Sequence, residues 1–155
     1  MVTRNYAMRA RADAVGARRT AIVHALIDLA MEKLTIDITL DDVAERAGVS
    51  TRTILRHFGD RENLLDAAVR TGTALIQAER EPAADDPRES IRKLVDHYER
   101  RGGFVLRLLA QEDDPRIGTI TANGRRVHRE WVATAFGRWM PAHPTDRERC
   151  IDLLV

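Results

Sequence analysis

The sequence predicts an all-α fold: a three-helix head containing a helix-turn-helix, followed by a helical body that reads as incomplete at its C-terminal end. Three observations carry that expectation. Between Ile38 and Leu65, two short amphipathic segments stand close together, each with its own cap, joined by a turn holding one glycine. On either side, apolar residues recur at the spacing of a helix face. The one alternating stretch, TIDIT after Leu34, is too brief for a useful strand.

The elements follow in order. Residues 1–12 read as an arm, with at most a first helical turn inside it. From about Asp13 to Leu34, the residues Ile22, Val23, Leu26, Ile27, Leu29, Ala30 and Leu34 form a wide apolar stripe. That helix is the third support a helix-turn-helix pair needs, because two short helices cannot bury their own apolar faces. TIDIT is then the connection that sets Ile36 and Ile38 into the head's small core. Thr39 caps the next helix, with Asp42 as its acidic partner three residues on, close to a capping box. Leu40, Val43, Ala44 and Ala47 make its inner face, and Gly48 stops it. Ser50 caps the second short helix, Thr51 to Phe58, whose inward stripe is expected at Ile54, Leu55 and Phe58. Gly59 ends it, and Asp60 caps a longer helix running from Arg61 to about Glu79.

Residues 80–88, REPAADDPR, carry two prolines and three acids and form the clearest break, the expected hinge between two parts. Asp85 or Asp86 caps the next helix, with Pro87 in its first turn and Ile91, Leu94, Val95 and Tyr98 on one face. Gly102–Gly103 is expected to end it, and Phe104, Val105, Leu108 and Leu109 to start another. After the acidic corner at Pro115, a helix from about Arg116 to Met140 carries Ile117, Ile120, Val127, Trp131, Ala135, Phe136 and Trp139. Pro141 and Pro144 stop it and a last helix opens. A chain closing on Ile151, Leu153, Leu154 and Val155, with no cap or polar tail, reads as unfinished or as covered by a partner.

Composition narrows the function classes. Apolar residues at 44 % and charged residues at 32 % are ordinary for a soluble domain. No run approaches the ~20 apolar residues of a membrane span, and the start lacks the apolar core of a secretory signal. A single cysteine, Cys150, excludes an internal disulfide framework and a thiolate metal cage. The expected compartment is the cytoplasm, with no membrane contact, metal or cofactor. No helical His-x-x-x-His, Gly-rich phosphate loop or paired catalytic carboxylates occur, so no enzyme is expected. The chain's net charge is only +1, yet residues 1–27 hold Arg4, Arg9, Arg11, Arg18 and Arg19 against the single acid Asp13. A basic arm ahead of a helix-turn-helix is where a DNA-binding head keeps phosphate contacts. The pattern by itself allows two readings, a DNA-binding head or a helical hairpin that packs other protein. The second leaves Arg52, Arg56 and Arg61 without a role.

TLDDVAERA followed by GVSTRTILRHFGDRENLL resembles the N-terminal domain of the tetracycline-repressor (TetR) family of bacterial transcriptional regulators, from about Ala21 to Ala68. The resemblance implies a homodimeric repressor on a palindromic double-stranded operator. A small, largely apolar effector would enter the body, shift the helix after the recognition helix and release the DNA. A regulator of the same family that activates, or that uses a corepressor, would look the same in sequence. The implied division is a head over 1–60, a connecting helix over 61–79 and a ligand-binding and dimerisation body over 80–155. In the family the last two helices form the dimer's four-helix bundle, and this chain stops near the start of the first of them.

Candidate DNA contacts are Arg4, Arg9 and Arg11 of the arm, Thr39, Ser50, Thr51, Arg52, Thr53, Arg56, His57 and Arg61. Arg52 is the base-reading candidate, since arginine bonds guanine O6 and N7 together. Thr51 and Thr53 suit a thymine methyl or a phosphate, while Thr39, His57 and Arg61 stand at phosphate positions of the family. Leu55 departs from the tyrosine common among relatives, so one backbone contact is lost or has moved to Arg56. Ser50 also reads as a cap and Phe58 as core. In the body, Tyr98, Phe104, Leu108, His128, Trp131, Phe136 and Trp139 are the candidate ligand residues; an ordinary bundle core accounts for the aromatic ones as well.

Overall fold

The computed structural model describes the backbone of residues 2–83 and 85–155, and the side chains of residues 13–83 and 85–155. Among the described residues there are helices and no strand: α1 Val2–Glu32, α2 Leu40–Ala47, α3 Thr51–Phe58, α4 Arg61–Glu79, α5 Pro87–Leu109, α6 Pro115–Phe136 and α7 Pro144–Leu154. Short 3-10 turns lie at Thr35–Asp37 and Gly137–Trp139. Two compact units, Met1–Gly72 and Thr73–Val155, divide the chain within α4.

In the first unit, α1 buries Ile22, Val23, Ala25, Leu26, Leu29 and Ala30. Its backbone is helical from Val2, where an arm was expected; the side chains of Arg4, Arg9 and Arg11 lie outside the described residues. α2 starts on a complete capping box. The Thr39 hydroxyl accepts from the Asp42 amide at 3.1 Å, and Asp42 accepts from the Thr39 amide at 2.7 Å. The Lys33 ammonium, 2.8 Å away, and then the Thr39 groups hold the Asp42 carboxyl well below the usual carboxylate range. Arg46 grips Glu32 with two bonds of 2.9 and 2.7 Å, tying α2 to α1. Gly48 ends α2 at φ 63°, the left-handed region where a side chain is strained. Ser50 caps α3 by accepting from the Thr53 amide at 3.2 Å. Leu26, Ile38, Leu40, Val43, Leu64 and Leu65 surround one small gap, so α1, α2 and α4 meet there.

Two expectations in this unit are corrected. Ile36 is 51 % exposed while Thr35 and Ile38 are buried, because the 3-10 turn winds the segment and residues two apart no longer share a side. Leu55 is 42 % exposed, outside the inward stripe of Ile54 and Phe58, since one residue turns an α-helix by about 100°.

In the second unit, Trp131, Val132 and Ala135 of α6 and Ile151 of α7 form a core against which Leu94, Phe136 and Met140 pack. α5 runs unbroken through Gly102–Gly103, where an end was expected. The two glycines cost about 1 kcal/mol each relative to alanine, too little to break a helix embedded in tertiary packing. Its buried positions are Ser90 and His97, whereas Ile91, Val95 and Tyr98 of the expected face are exposed. Polar pairing explains the rotation. Arg101 binds Glu79 with two bonds, one of 2.8 Å from Nε, and His97 Nδ1 lies 3.2 Å from the same carboxylate. Ser90 stitches the preceding corner, accepting from the Ala83 amide at 3.0 Å and donating to the Asp86 carbonyl at 3.1 Å. Lys93 adds a bond to the Glu81 carbonyl at 3.1 Å, and Arg138 pairs with Asp85. The segment read as a hinge is therefore held at several points. Gly118 of α6 permits the acidic corner to fold back, because a Cβ there would meet the Glu112 carbonyl oxygen at 2.8 Å.

Arg101 chiefly, with His97, holds Glu79 down to about 2 from an ordinary 4.5. Burial pushes His97 below its ordinary 6.5. Below pH 6.5 the unfolded chain binds a proton that buried His97 refuses, and below 4.5 it binds one that Glu79 refuses. Melts followed by circular dichroism should show a midpoint that falls as pH drops through 6.5 and more steeply between 4.5 and 2. In Glu79→Gln the steeper part should shrink; curves that merely run parallel would show that the pair does not hold this unit.

Candidate nucleic-acid interface

α3 exposes Arg52 and Arg56 one helical turn apart, on the side opposite buried Ile54 and Phe58. Neither arginine makes an ion pair or hydrogen bond among the described residues. The other candidates on this helix are engaged locally. Thr51 donates to Asp41 at 2.7 Å, and the Ser50 and Thr53 hydroxyls lie 3.0 Å apart within the cap. Thr39's amide and hydroxyl both close onto Asp42. Leu55 lies exposed beside the two arginines, an apolar residue on an otherwise cationic face.

His57 and Arg61, both candidate phosphate contacts, stand in structural settings. The Nε2 of His57 is buried without a hydrogen-bond partner. Burial first, and then Arg56, Arg19 and Arg18, lower its pKa, which favours the neutral ring. Arg61 donates from Nε to the Ile38 carbonyl at 3.2 Å and from Nη2 to the Thr35 carbonyl at 3.0 Å. Its guanidinium thus fastens the 3-10 turn to the start of α4. Sequence reasoning missed Arg19, counting it only as charge. Arg19 donates to the His57 carbonyl at 2.6 Å and lies 4.2 Å from the centroid of the Phe58 ring, pinning the end of α3 to α1. No spacing rule finds a contact across 38 residues.

In the second unit, rings of the ligand candidates form a chain. Tyr98 meets His128 edge-on at 6.3 Å, His128 stacks parallel to Trp131 at 6.1 Å, and Trp131 meets Phe136 edge-on at 5.9 Å. Phe104 and Leu108 are half-buried on α5 and make no ring contact with this chain. Trp139 is 50 % exposed, with only Arg138 over its face, because the 3-10 turn after α6 carries it off the helix's inner side. Arg80, not singled out from the sequence, is 4 % exposed beside His128 and receives a hydrogen bond from Trp131 Nε1 on its carbonyl. Burial, and then Arg80 and His97, lower the His128 pKa. Among the described residues no cluster of His, Cys, Asp and Glu fits a metal, and no helix is long and apolar enough to cross a membrane.

Comparison with known proteins bears on both units. A family profile described as bacterial regulatory proteins, tetR family, matches residues 22–68. The HTH-type transcriptional regulator BetI of Stenotrophomonas maltophilia (strain R551-3) is 32 % identical over 143 residues, which covers 84 % of this chain and 72 % of that protein. A second relative, the HTH-type transcriptional regulator BetI 1 of Chromohalobacter salexigens, is 32 % identical over 84 residues, 51 % of this chain and 41 % of its own length. The crystal structure of a TetR transcriptional regulator from Rhodococcus sp. RHA1 matches with a TM-score of 0.53 at 22 % identity, over 89 % of this chain and 78 % of that one. That last likeness is one of fold.

The arginines of the first unit should separate by role. Arg61→Met removes one donor each from the Ile38 and Thr35 carbonyls and should lower the free energy of unfolding by about 1–3 kcal/mol. Arg56→Ala should stay within about 0.5 kcal/mol of the unaltered chain. Urea unfolding followed by circular dichroism measures both; equal values would remove the clamp assigned to Arg61.

Proposed function

This chain belongs to the tetR family of bacterial regulatory proteins and is a transcriptional regulator, and from that premise we propose that it acts in the cytoplasm as a homodimeric repressor, released from a palindromic operator by a small molecule bound in its second unit. α3 is the recognition helix of this reading. The observation that carries it is the exposure of Arg52 and Arg56, free of partners among the described residues, while the neighbouring hydroxyls are committed to the α3 cap and to Asp41. An arginine in the first turn of a helix lying in a major groove reaches guanine O6 and N7. In this assignment Arg52 reads a base and Arg56 takes a phosphate, replacing the contact that Leu55 cannot make. The hydroxyls of Ser50, Thr51 and Thr53 and the His57 ring position α3, and Arg61 and Thr39 act through the clamp and the cap.

The response to a ligand is assigned to the aromatic chain of Tyr98, His128, Trp131 and Phe136. α4 is one unbroken helix from Arg61 to Glu79, and Arg80 follows it directly. A displacement of its far end would be carried along the backbone to Arg61.

The test is a salt titration of binding to the DNA around the protein's own gene. Arg52→Ala should lose about 1–3 kcal/mol and relax preference at one position of each half-site. Arg56→Ala should weaken all sequences alike and lower the slope of log K against log salt by about 1 per protomer. The unaltered protein should sediment as a dimer and protect two symmetric half-sites. If neither substitution changes binding to any duplex while the fold persists, α3 is not the recognition helix.

A further inference from the structure

Arg80 is a buried cation with no anion to meet it among the described residues. The residue is 4 % exposed, and its Nε is buried without a hydrogen-bond partner among the described residues. Around it stand neutral groups. Its Nη1 lies 3.4 Å from His128 Nδ1, and a further hydrogen bond goes to Tyr98. A guanidinium only donates, so His128 accepts at Nδ1 and is neutral there. The adjacent carboxylate, Glu79, is taken up by Arg101 and His97. A guanidinium keeps its proton even when buried, and buried charge is disfavoured unless it is paired. An apolar residue of similar length would suit a plain core better.

We propose that Arg80 is the anion-binding residue of the second unit, and that the molecule bound there is a small organic monocarboxylate whose apolar part lies against the His128–Trp131 stack. The proposal rests on the ligand-responsive body described above and names its ligand class. One positive charge balances one negative charge. The planar fork of Arg80, with Nε free, matches a carboxylate bonded through both oxygens. A phosphate dianion would call for a second cation, and the nearby Arg101 is closed onto Glu79. A cationic ligand would meet like charge. The His128 and Trp131 rings stack 4° from parallel, so their faces meet each other and the stack presents its outer face and edges to a ligand. Of the rings that reach solvent, Tyr98, 38 % exposed, and half-buried His128 are the two bonded to Arg80, so entry is past their edges.

The experiment is calorimetric titration of the purified chain with benzoate, phenylacetate and octanoate, each beside its primary amide and the amine of the same skeleton. At least one carboxylate should bind ten-fold or more tightly than its own amide and amine, and Arg80→Met should reduce that affinity ten-fold or more. Without ligand, Arg80→Met should melt at the temperature of the unaltered protein or above it, since it removes an unpaired buried charge. Should Arg80→Met fail to fold, Arg80→Lys serves instead: it keeps the charge without the fork, so binding should weaken while preference over the amide persists. Binding of no carboxylate, equal or better binding of the amides or amines, or unchanged carboxylate affinity in the Arg80 variants would each overturn the proposal. Operator binding is read in parallel. A carboxylate that binds through Arg80 but leaves DNA affinity unchanged defeats the release mechanism and leaves the site standing; release by a neutral or cationic compound alone does the reverse.

Discussion

Two helices of eight residues cannot hold their shape in water on their own. α2 and α3 persist because Val43, Ala44, Ile54 and Phe58 are buried in a unit whose larger apolar surfaces come from α1 and the first half of α4. That dependence divides each short helix into a committed face and a free one. On α3 the committed face is Ile54 and Phe58, with Arg19 laid over the Phe58 ring. The face turned away carries Arg52 and Arg56. Residues there contribute little to stability, so their identity is open to a binding role, and arginine is what DNA calls for.

What was legible in the sequence is what local rules determine. The caps at Thr39 and Ser50, the glycine stops at Gly48 and Gly59, and the positions of α2 and α3 depend on residues three or four apart, so reading them needs no knowledge of the tertiary fold. Leu55 was misplaced because apolarity was taken as burial, while the helix turns it past the edge of the core. Arg61 and Arg19 illustrate a different limit. Each was read as positive charge available to DNA, and each donates to carbonyls far away in sequence. An arginine on a helix looks the same in sequence whether its fork meets a phosphate or a peptide oxygen.

α5 of the second unit was harder to read for one physical reason: its fully buried positions are polar. Along α5 the sequence advertises Ile91, Val95 and Tyr98, but Ser90 and His97 are the buried residues, with Arg101 reaching inward to Glu79. A stripe search weights apolar side chains and so rotates the helix the wrong way. The same weighting passed over Arg80, whose burial is visible only once α6 brings His128 and Trp131 alongside.

Glu79 and Arg80 are consecutive, oppositely charged and bonded to different neighbours. Glu79 fastens the end of α4 to α5 through Arg101 and His97, while the Arg80 carbonyl fastens it to α6 through Trp131. A shift of that end must break these bonds or carry their partners along. A ligand drives such a shift only by its difference in affinity for the two arrangements. A charge-assisted hydrogen bond to a buried guanidinium contributes about 1.5–3 kcal/mol, much the same as the 1–3 kcal/mol, roughly 5- to 150-fold, typical of coupling between distant sites. Gaining or losing one carboxylate contact at Arg80 is therefore large enough to bias the regulator. Contact with the aromatic wall alone, equally available before and after a shift, would add affinity without a response.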